Sequence, residues 1–384
     1  LSPDFSATMR LSRLAGSGRY GRAGRIGAVN GLLPECPAEN ELLESLLQPG
    51  KTISDVNRRQ RNLVDTGMKP SLRYGFVGLG NLGRRLARNL VANGFEVALH
   101  DRDPEAAAAL RQSVVQRSLN IVGSCAEAAR GADGLITCLP SSAATRMAIE
   151  GPEGAISALG KGATWIEMGT NESGEVLRLA NKLENVGVAT LEAPVTGGVH
   201  RASAGDITVL AGGDRRLFDR HRPALAAMGS PVLHVGSIGQ GSAMKVITNM
   251  LAFLHLLGAG EALMLARKSG IDLGTAFEAI RHSSGNSFVH ETESQVVLNG
   301  SYDIGFTLDL ACKDAGFASE MGRRLGVPLP LAEQAETLLN AARERYGGDA
   351  WSPMAVRLLE DAVGTRLRAK GFPATLDPPQ ELSD

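Results

Sequence analysis

The stretch YGFVGLGNLGRRLARNLVANGFEVALHD, residues 74–101, decides the fold. A short apolar run, 74–77, enters a turn that holds Gly78, Gly80 and Gly83. Leu82, Leu86, Leu90 and Val91 then recur at helical spacing, Gly94 ends the helix, and an apolar stretch at 95–99 reads as a second strand. Gly78 permits the tight turn, Gly80 lets backbone amides approach a pyrophosphate, and Gly83 lets the helix pack on the strand. The loop Gly78, Leu79, Gly80, Asn81, Leu82 and Gly83 is therefore expected to cradle a dinucleotide, with the helix N-terminus offering unpaired amides to the phosphates. Asp101 falls at the end of the second strand, about 20 residues on, where a carboxylate can accept from a ribose 2′-hydroxyl. The plainer alternative is a glycine turn that serves packing alone.

Outward from this unit, apolar runs alternate with helical patterns. Strands are expected at 74–77, 96–100, 134–138, 164–168, 188–192, 207–211 and 232–235. Helices are expected between most of them, at 104–112, 125–130, 142–150, 173–186 and 215–227. Strands separated by helices imply parallel pairing, so residues 70–235 are expected to form a doubly wound α/β Rossmann-type domain. Ligands in such sheets lie beyond the carboxyl ends of the strands, where CLPSS (138–142) and GTNES (169–173) fall. Taken alone, either segment serves equally well as ordinary helix-capping chemistry. After Gly236 convincing strands stop. One long helix at 242–268 and further helices at 273–281, 307–325, 331–345 and 352–363 make residues 236–365 an all-helical domain, followed by a mobile proline-rich tail, 366–384.

Residues 1–69 differ in character. Arg10, Arg13, Arg19, Arg22 and Arg25 alternate with small residues, and no acid occurs between Asp4 and Glu35. Such a segment buries little and is expected to be a disordered extension. Its Arg-rich, acid-poor make-up is also that of a mitochondrial transit peptide, so mitochondria are the alternative to an expected cytoplasmic setting. A short amphipathic helix fits 39–47, and Met68 is placed where a translation start would sit.

A formal net charge of −1 over 384 residues gives no basic field for nucleic acid. The four cysteines, Cys36, Cys125, Cys138 and Cys312, have no CxxC spacing, so neither a metal site nor a disulfide framework is expected. The longest apolar stretch, 246–266, is interrupted by Asn249, His255 and Glu261, which suits a helix buried between domains better than a bilayer span.

Three further stretches can carry chemistry. In EAPVTGGVHRASAGDITVLAGG (192–213), Thr196, Gly197 and Gly198 form a hydroxyl-bearing glycine turn whose amides can hold a small carboxylate, or a merely flexible turn. In GQGSAMKVITNM (239–250), Lys245 and Asn249 are four apart and share a helix face. Burial at a domain junction would lower the lysine pKa and fit it for proton transfer near neutral pH; a solvated surface lysine is the bland alternative. In GFTLDLACKDAGFA (305–318), Lys313 and Asp314 read as a salt-bridged pair on an apolar helix.

Taken in order, GLGNLG, CLP, EAPVTGG, GxGxxxK and FTLDLACKD resemble the β-hydroxyacid dehydrogenase family over residues 73–363. The resemblance implies an NAD(P)-dependent oxidoreductase acting on a small hydroxy acid, with Lys245 as general acid/base and Asn249 positioning it and the substrate. It implies further that the 196–198 turn holds the substrate carboxylate and that Leu139, Pro140, Thr170 and Lys313 contact the cofactor. A homodimer or homotetramer is implied in the same way. The chain departs from the family pattern at Thr196, usually serine, at Thr248, usually the first asparagine of KxxNN, at Arg201, commonly glycine, at Asp206, often threonine, and at Leu82, frequently methionine. Arg201 beside the carboxylate turn is expected either to bind a second polar group of the substrate or to pair with a nearby acid. Asp101 favours NAD over NADP, because a carboxylate repels the extra phosphate, although Arg102 can turn toward it. Three rival readings keep the fold: a non-catalytic dinucleotide-binding scaffold and an imine reductase, both of which usually lack the lysine, and a 6-phosphogluconate dehydrogenase, whose relatives usually have a much longer helical region.

Overall fold

The computed structural model describes residues 72–112 and 119–376. The expected extension at 1–69, with its helix at 39–47, Cys36 and Met68, lies outside them, as does the tail from 377 onward.

The opening unit forms β1 (Arg73–Val77), α1 (Gly83–Ala92) and β2 (Glu96–His100). Leu86, Leu90 and Val91 turn inward from α1, and Gly94, with φ of 91°, ends it. The chain continues through α2 (Pro104–Gln112), β3 (Asn120–Ile121), α3 (Cys125–Ala129), β4 (Gly134–Thr137) and α4 (Ser142–Glu150). Next come β5 (Thr164–Glu167), α5 (Ser173–Glu184), β6 (Ala189–Glu192), β7 (Val195–Thr196), α6 (Val199–Ala204), β8 (Thr208–Gly212), α7 (Arg215–Met228) and β9 (Val232–Gly236). Side chains cap several starts: Ser124, Ser141 and Asp214 each accept an amide of the first turn.

Among the described residues nine strands form one sheet in the order β3-β2-β1-β4-β5-β6-β8-β7, with β9 on β8. From β3 to β6 every pair is parallel. The expectation of parallel pairing throughout fails beyond β6. There β8 runs antiparallel to β6 and β7, because Gly197 and Gly198, at φ of 123° and 86°, turn the chain back on itself. Helices cover both faces. Phe76, Leu86, Leu90, Leu99, Ile136 and Ile166 fill one side, and Leu135, Trp165, Leu179 and Leu183 the other. Each such fully buried side chain contributes about 1.5–3 kcal/mol of transfer free energy.

The strand order reverses between β1 and β4, which opens a crevice at their carboxyl ends. Over it lies the helical half: α8 (Gln240–Lys268), α9 (Leu273–Arg281), α10 (Phe288–Asn299), α11 (Leu308–Leu325), α12 (Pro330–Tyr346) and α13 (Ala355–Val363). The sequence pattern missed α10, although Ser287 caps it and Gly300 ends it at φ of 97°. By length and composition α8 would also satisfy a bilayer span. In the fold it is the junction, with Val246, Phe253, Leu256 and Leu263 buried. The first part of the expected mobile tail is instead docked: Leu367 is fully buried, its amide donates to Glu360, and Asn299 and Ser301 donate to the carbonyls of Phe372 and Ala374.

Candidate active site

A cleft of about 1470 Å³ runs along the crevice and under α8, α10 and α11. Of the expected cofactor residues, Gly78, Gly80, Asn81, Leu82, Gly83, Asp101, Arg102, Leu139, Pro140, Thr170 and Lys313 line it. The three glycines do different things. A Cβ on Gly78, whose φ is 101°, would lie 2.3 Å from the Cys138 carbonyl oxygen, and one on Gly83 would lie 1.9 Å from the Gly78 oxygen. A Cβ on Gly80 would meet no atom within 4 Å, so the loop opens there onto free space above the backbone. No side chain caps α1 at Leu82, and the Arg84 and Arg85 amides donate to the Gly80 and Leu82 carbonyls, so the loop offers an anion its open backbone at Gly80 and the positive end of the helix dipole. The cradle therefore fits a pyrophosphate. Leu79 differs from the other loop residues: its side chain is fully buried and its amide donates to Asp101 Oδ2 at 2.5 Å. Asp101 also accepts from the amide of Asp103 at 2.9 Å, so this carboxylate fastens the loop as well as facing the cleft.

Thr196, Gly197 and Gly198 line the same cleft, together with Lys245 and Asn249. Lys245 is half-buried and its Nζ donates to Asn249 Oδ1 at 2.8 Å. Asn249 Nδ2 in turn donates to Asp314 Oδ2 at 2.6 Å. Removal from water lowers the Lys245 pKa to about 8; Asp314 opposes this and Lys313 adds to it. Lys313 spans the junction. Its Nζ lies 3.2 Å from Asp314 Oδ1 and donates to the carbonyls of Thr170 at 2.7 Å and Pro140 at 3.1 Å. Thr248 turns back onto its own helix and donates to the Lys245 carbonyl.

Arg201 is not among the residues that line the cleft, but its side chain lies against the carboxylate turn, where a Cβ on Gly197 would sit 3.1 Å from its Cδ and 3.4 Å from Nη1. Its guanidinium lies 3.6 Å from Asp206 and 5.8 Å from the centre of the Phe288 ring, so the paired-acid alternative describes it. The helix that carries it is held from behind. Arg85 Nε donates to Ser203 Oγ, Arg88 to the Ser203 carbonyl and Asn89 to the Ala202 carbonyl, which joins α1 to α6. Arg85 also donates to the carbonyl of Asn81 in the glycine loop.

Glu167 and Glu192 were not singled out from sequence, and Asp314 only as the salt-bridge partner of Lys313. Glu167 and Glu192 face each other across β5 and β6 at the strand ends, 1% and 0% exposed. Burial pushes the Glu167 carboxyl up to about 7, against hydrogen bonds from Thr137 and the Gly169 amide and with the nearby Glu192. Burial also raises Glu192, opposed by Ser242 and by the amides of Gly239, Ser242 and Gly241. Their only sequence signal is a carboxylate at the end of an apolar strand. Cys138 is pushed up to about 12 by burial and then by Glu167, so it is no thiolate nucleophile. Among the described residues no group of three or more His, Cys, Asp or Glu side chains is placed to hold a metal ion.

Two family models match in succession: the NAD binding domain of 6-phosphogluconate dehydrogenase over residues 73–236, and the NAD-binding domain of NADP-dependent 3-hydroxyisobutyrate dehydrogenase over residues 239–359. The chain is 30% identical over 298 residues to 2-(hydroxymethyl)glutarate dehydrogenase of Eubacterium barkeri, covering 77% of this chain and 98% of that protein. It is 32% identical over 271 residues to mitochondrial 3-hydroxyisobutyrate dehydrogenase of Rattus norvegicus, covering 69% and 80%. The solved 3-hydroxyisobutyrate dehydrogenase of Mycobacterium tuberculosis with L-serine superposes with a TM-score of 0.67 at 28% identity, covering 76% of this chain and 99% of that one.

Proposed function

The chain belongs to the β-hydroxyacid dehydrogenase family, and from that premise we propose that it is an NAD(P)-dependent oxidoreductase of small 3-hydroxy acids with Lys245 as its general acid/base. One observation carries this reading: the Lys245 amine, the 196–198 turn and the glycine loop all open onto one cleft. A bound nicotinamide supplies the hydride acceptor or donor. The 196–198 turn and its amides hold the substrate carboxylate. In oxidation, neutral Lys245 takes the proton of the substrate hydroxyl; in reduction, its ammonium polarises the carbonyl oxygen and returns that proton. With a pKa near 8, both forms are populated close to neutrality. Asn249 accepts from the amine and is itself oriented by Asp314, which aims Lys245 along one direction.

Lys245→Ala tests the assignment. We expect kcat to fall by about 100-fold or more, the scale of acid–base catalysis, while the dissociation constant of the dinucleotide stays within about twofold. Turnover close to wild type would remove the lysine from the mechanism.

NAD is the favoured dinucleotide, on the strength of the Asp101 carboxylate at the end of β2. Self-association is part of the same reading. Leu265 of α8 is 70% exposed, and Leu251 of α8 and Phe288 of α10, which line the cleft, are 44% and 49% exposed, apolar surface at the cleft that a second copy would cover. A monomeric sedimentation coefficient at micromolar concentration would remove it.

A further inference from the structure

We propose that Glu192 is a positioning residue for proton transfer: from the end of β6 it fixes the first turn of α8, and with it Lys245, relative to the turn that holds the substrate carboxylate. The inference rests on the lysine reading above.

The helix that carries Lys245 begins without a cap of its own. Its N-cap is Gly239, with φ of 91° and no side chain to accept first-turn amides. Glu192, fully buried, supplies the acceptor from 50 residues away, taking hydrogen bonds from the Gly239 amide and from Ser242 Oγ. A carboxylate at a helix N-terminus meets both the unpaired amides and the positive end of the helix dipole. The backbones are pressed together at the same point. A Cβ on Gly241 would lie 2.9 Å from the Leu210 oxygen and 3.3 Å from Glu192 Cβ, and one on Gly212 would lie 2.6 Å from the Gly241 nitrogen. The start of α8 is thus seated on the strand ends with no side chain between them.

Both reactive walls diverge from this carboxylate. On one side, Lys245 follows Ser242 by a single helical turn, about 4.5 Å of rise. On the other, Glu192 runs through Ala193, Pro194 and Val195 to Thr196, an extended path pinned by Leu210 donating to the Pro194 carbonyl and by Val195 paired with Val209. Glu192 is therefore the point where the amine and the carboxylate turn are tied to one another. Proton transfer tolerates little error, since a misplacement of about 1 Å can cost on the order of 100-fold.

The test is a double-mutant cycle, with kcat expressed per dinucleotide-binding site so that any unfolded fraction drops out. Glu192→Gln keeps the shape of the side chain and removes its charge. We expect kcat to fall about 10-fold in the wild-type background and less than about twofold in Lys245→Ala, because a residue that acts only by placing the lysine has nothing left to place. Equal factors in both backgrounds, or no loss in the wild type, would overturn the proposal. Ser242→Ala removes one partner from outside the strand and carries the same cycle, with an expected loss of about threefold, should Glu192→Gln not fold. The two readings fail separately. An active Lys245→Ala enzyme sinks the lysine assignment, whereas a severe Lys245→Ala loss with additive Glu192→Gln sinks the positioning role alone.

Discussion

The two walls of the cleft are built differently. The wall we assign to the dinucleotide is made of backbone: glycines whose missing side chains clear a turn, and the start of α1 with the positive end of its dipole. The wall we assign to proton transfer is made of side chains, Lys245, Asn249, Asp314 and Lys313, drawn from two helices and joined by short polar contacts. A backbone cradle responds to added volume and is indifferent to pH. A side-chain relay keeps its shape when charges change but alters its chemistry.

The largest effect that tests this contrast is steric. Gly83→Ala drives a Cβ into the Gly78 carbonyl, and overpacking of that kind costs about 1–3 kcal/mol, so we expect dinucleotide affinity to fall on the order of 10- to 100-fold. Gly80→Ala adds the same methyl where nothing lies within 4 Å. It should leave the melting temperature unchanged and weaken dinucleotide binding alone. Calorimetric titration and thermal melts of both variants separate the two cases; equal loss of stability would show that the loop is not divided in this way.

The side-chain wall is tested by charge. Burial lowers the Lys245 pKa and Asp314 holds it up, so kcat/KM for oxidation should rise with pH as the lysine loses its proton, with a midpoint near 8. Asp314→Asn removes the supporting charge and should move that midpoint lower, with kcat reduced about 10-fold as Asn249 loses its charged partner. A midpoint that moved upward would contradict the arrangement.

The smallest effect concerns the choice of dinucleotide. The wild-type protein should give a higher kcat/KM with NAD than with NADP, and Asp101→Ser should narrow the gap to within about 10-fold. The same change unfastens the amide of Leu79, so part of the loss with NAD should appear as a looser loop rather than as altered selection. A wild-type preference for NADP would reverse the assignment.

This difference also explains what could be read in the chain. The glycine loop, strands β1, β2, β4, β5 and β6 and the boundaries of α9 were legible because each rests on neighbours within a few residues, whereas the two-residue β3 is too short to leave a pattern. The antiparallel return of β8 was not, since it depends on how Gly197 and Gly198 turn in three dimensions. Lys245 and Asn249 could be paired from helical spacing, but Asp314 joins them across 65 residues and Glu192 reaches Ser242 across 50. Arg201 left two readings open in the sequence, a second substrate contact or a pairing with a nearby acid, and Asp206, five residues on, lies 3.6 Å from its guanidinium.

The bonds from Arg85, Arg88 and Asn89 to α6 have a mechanical consequence. They tie together the two parts we assign to the pyrophosphate and to the substrate carboxylate, so that neither can shift without straining the other. The far seam is joined differently, by a single flexible side chain, Lys313, donating to the carbonyls of Pro140 and Thr170.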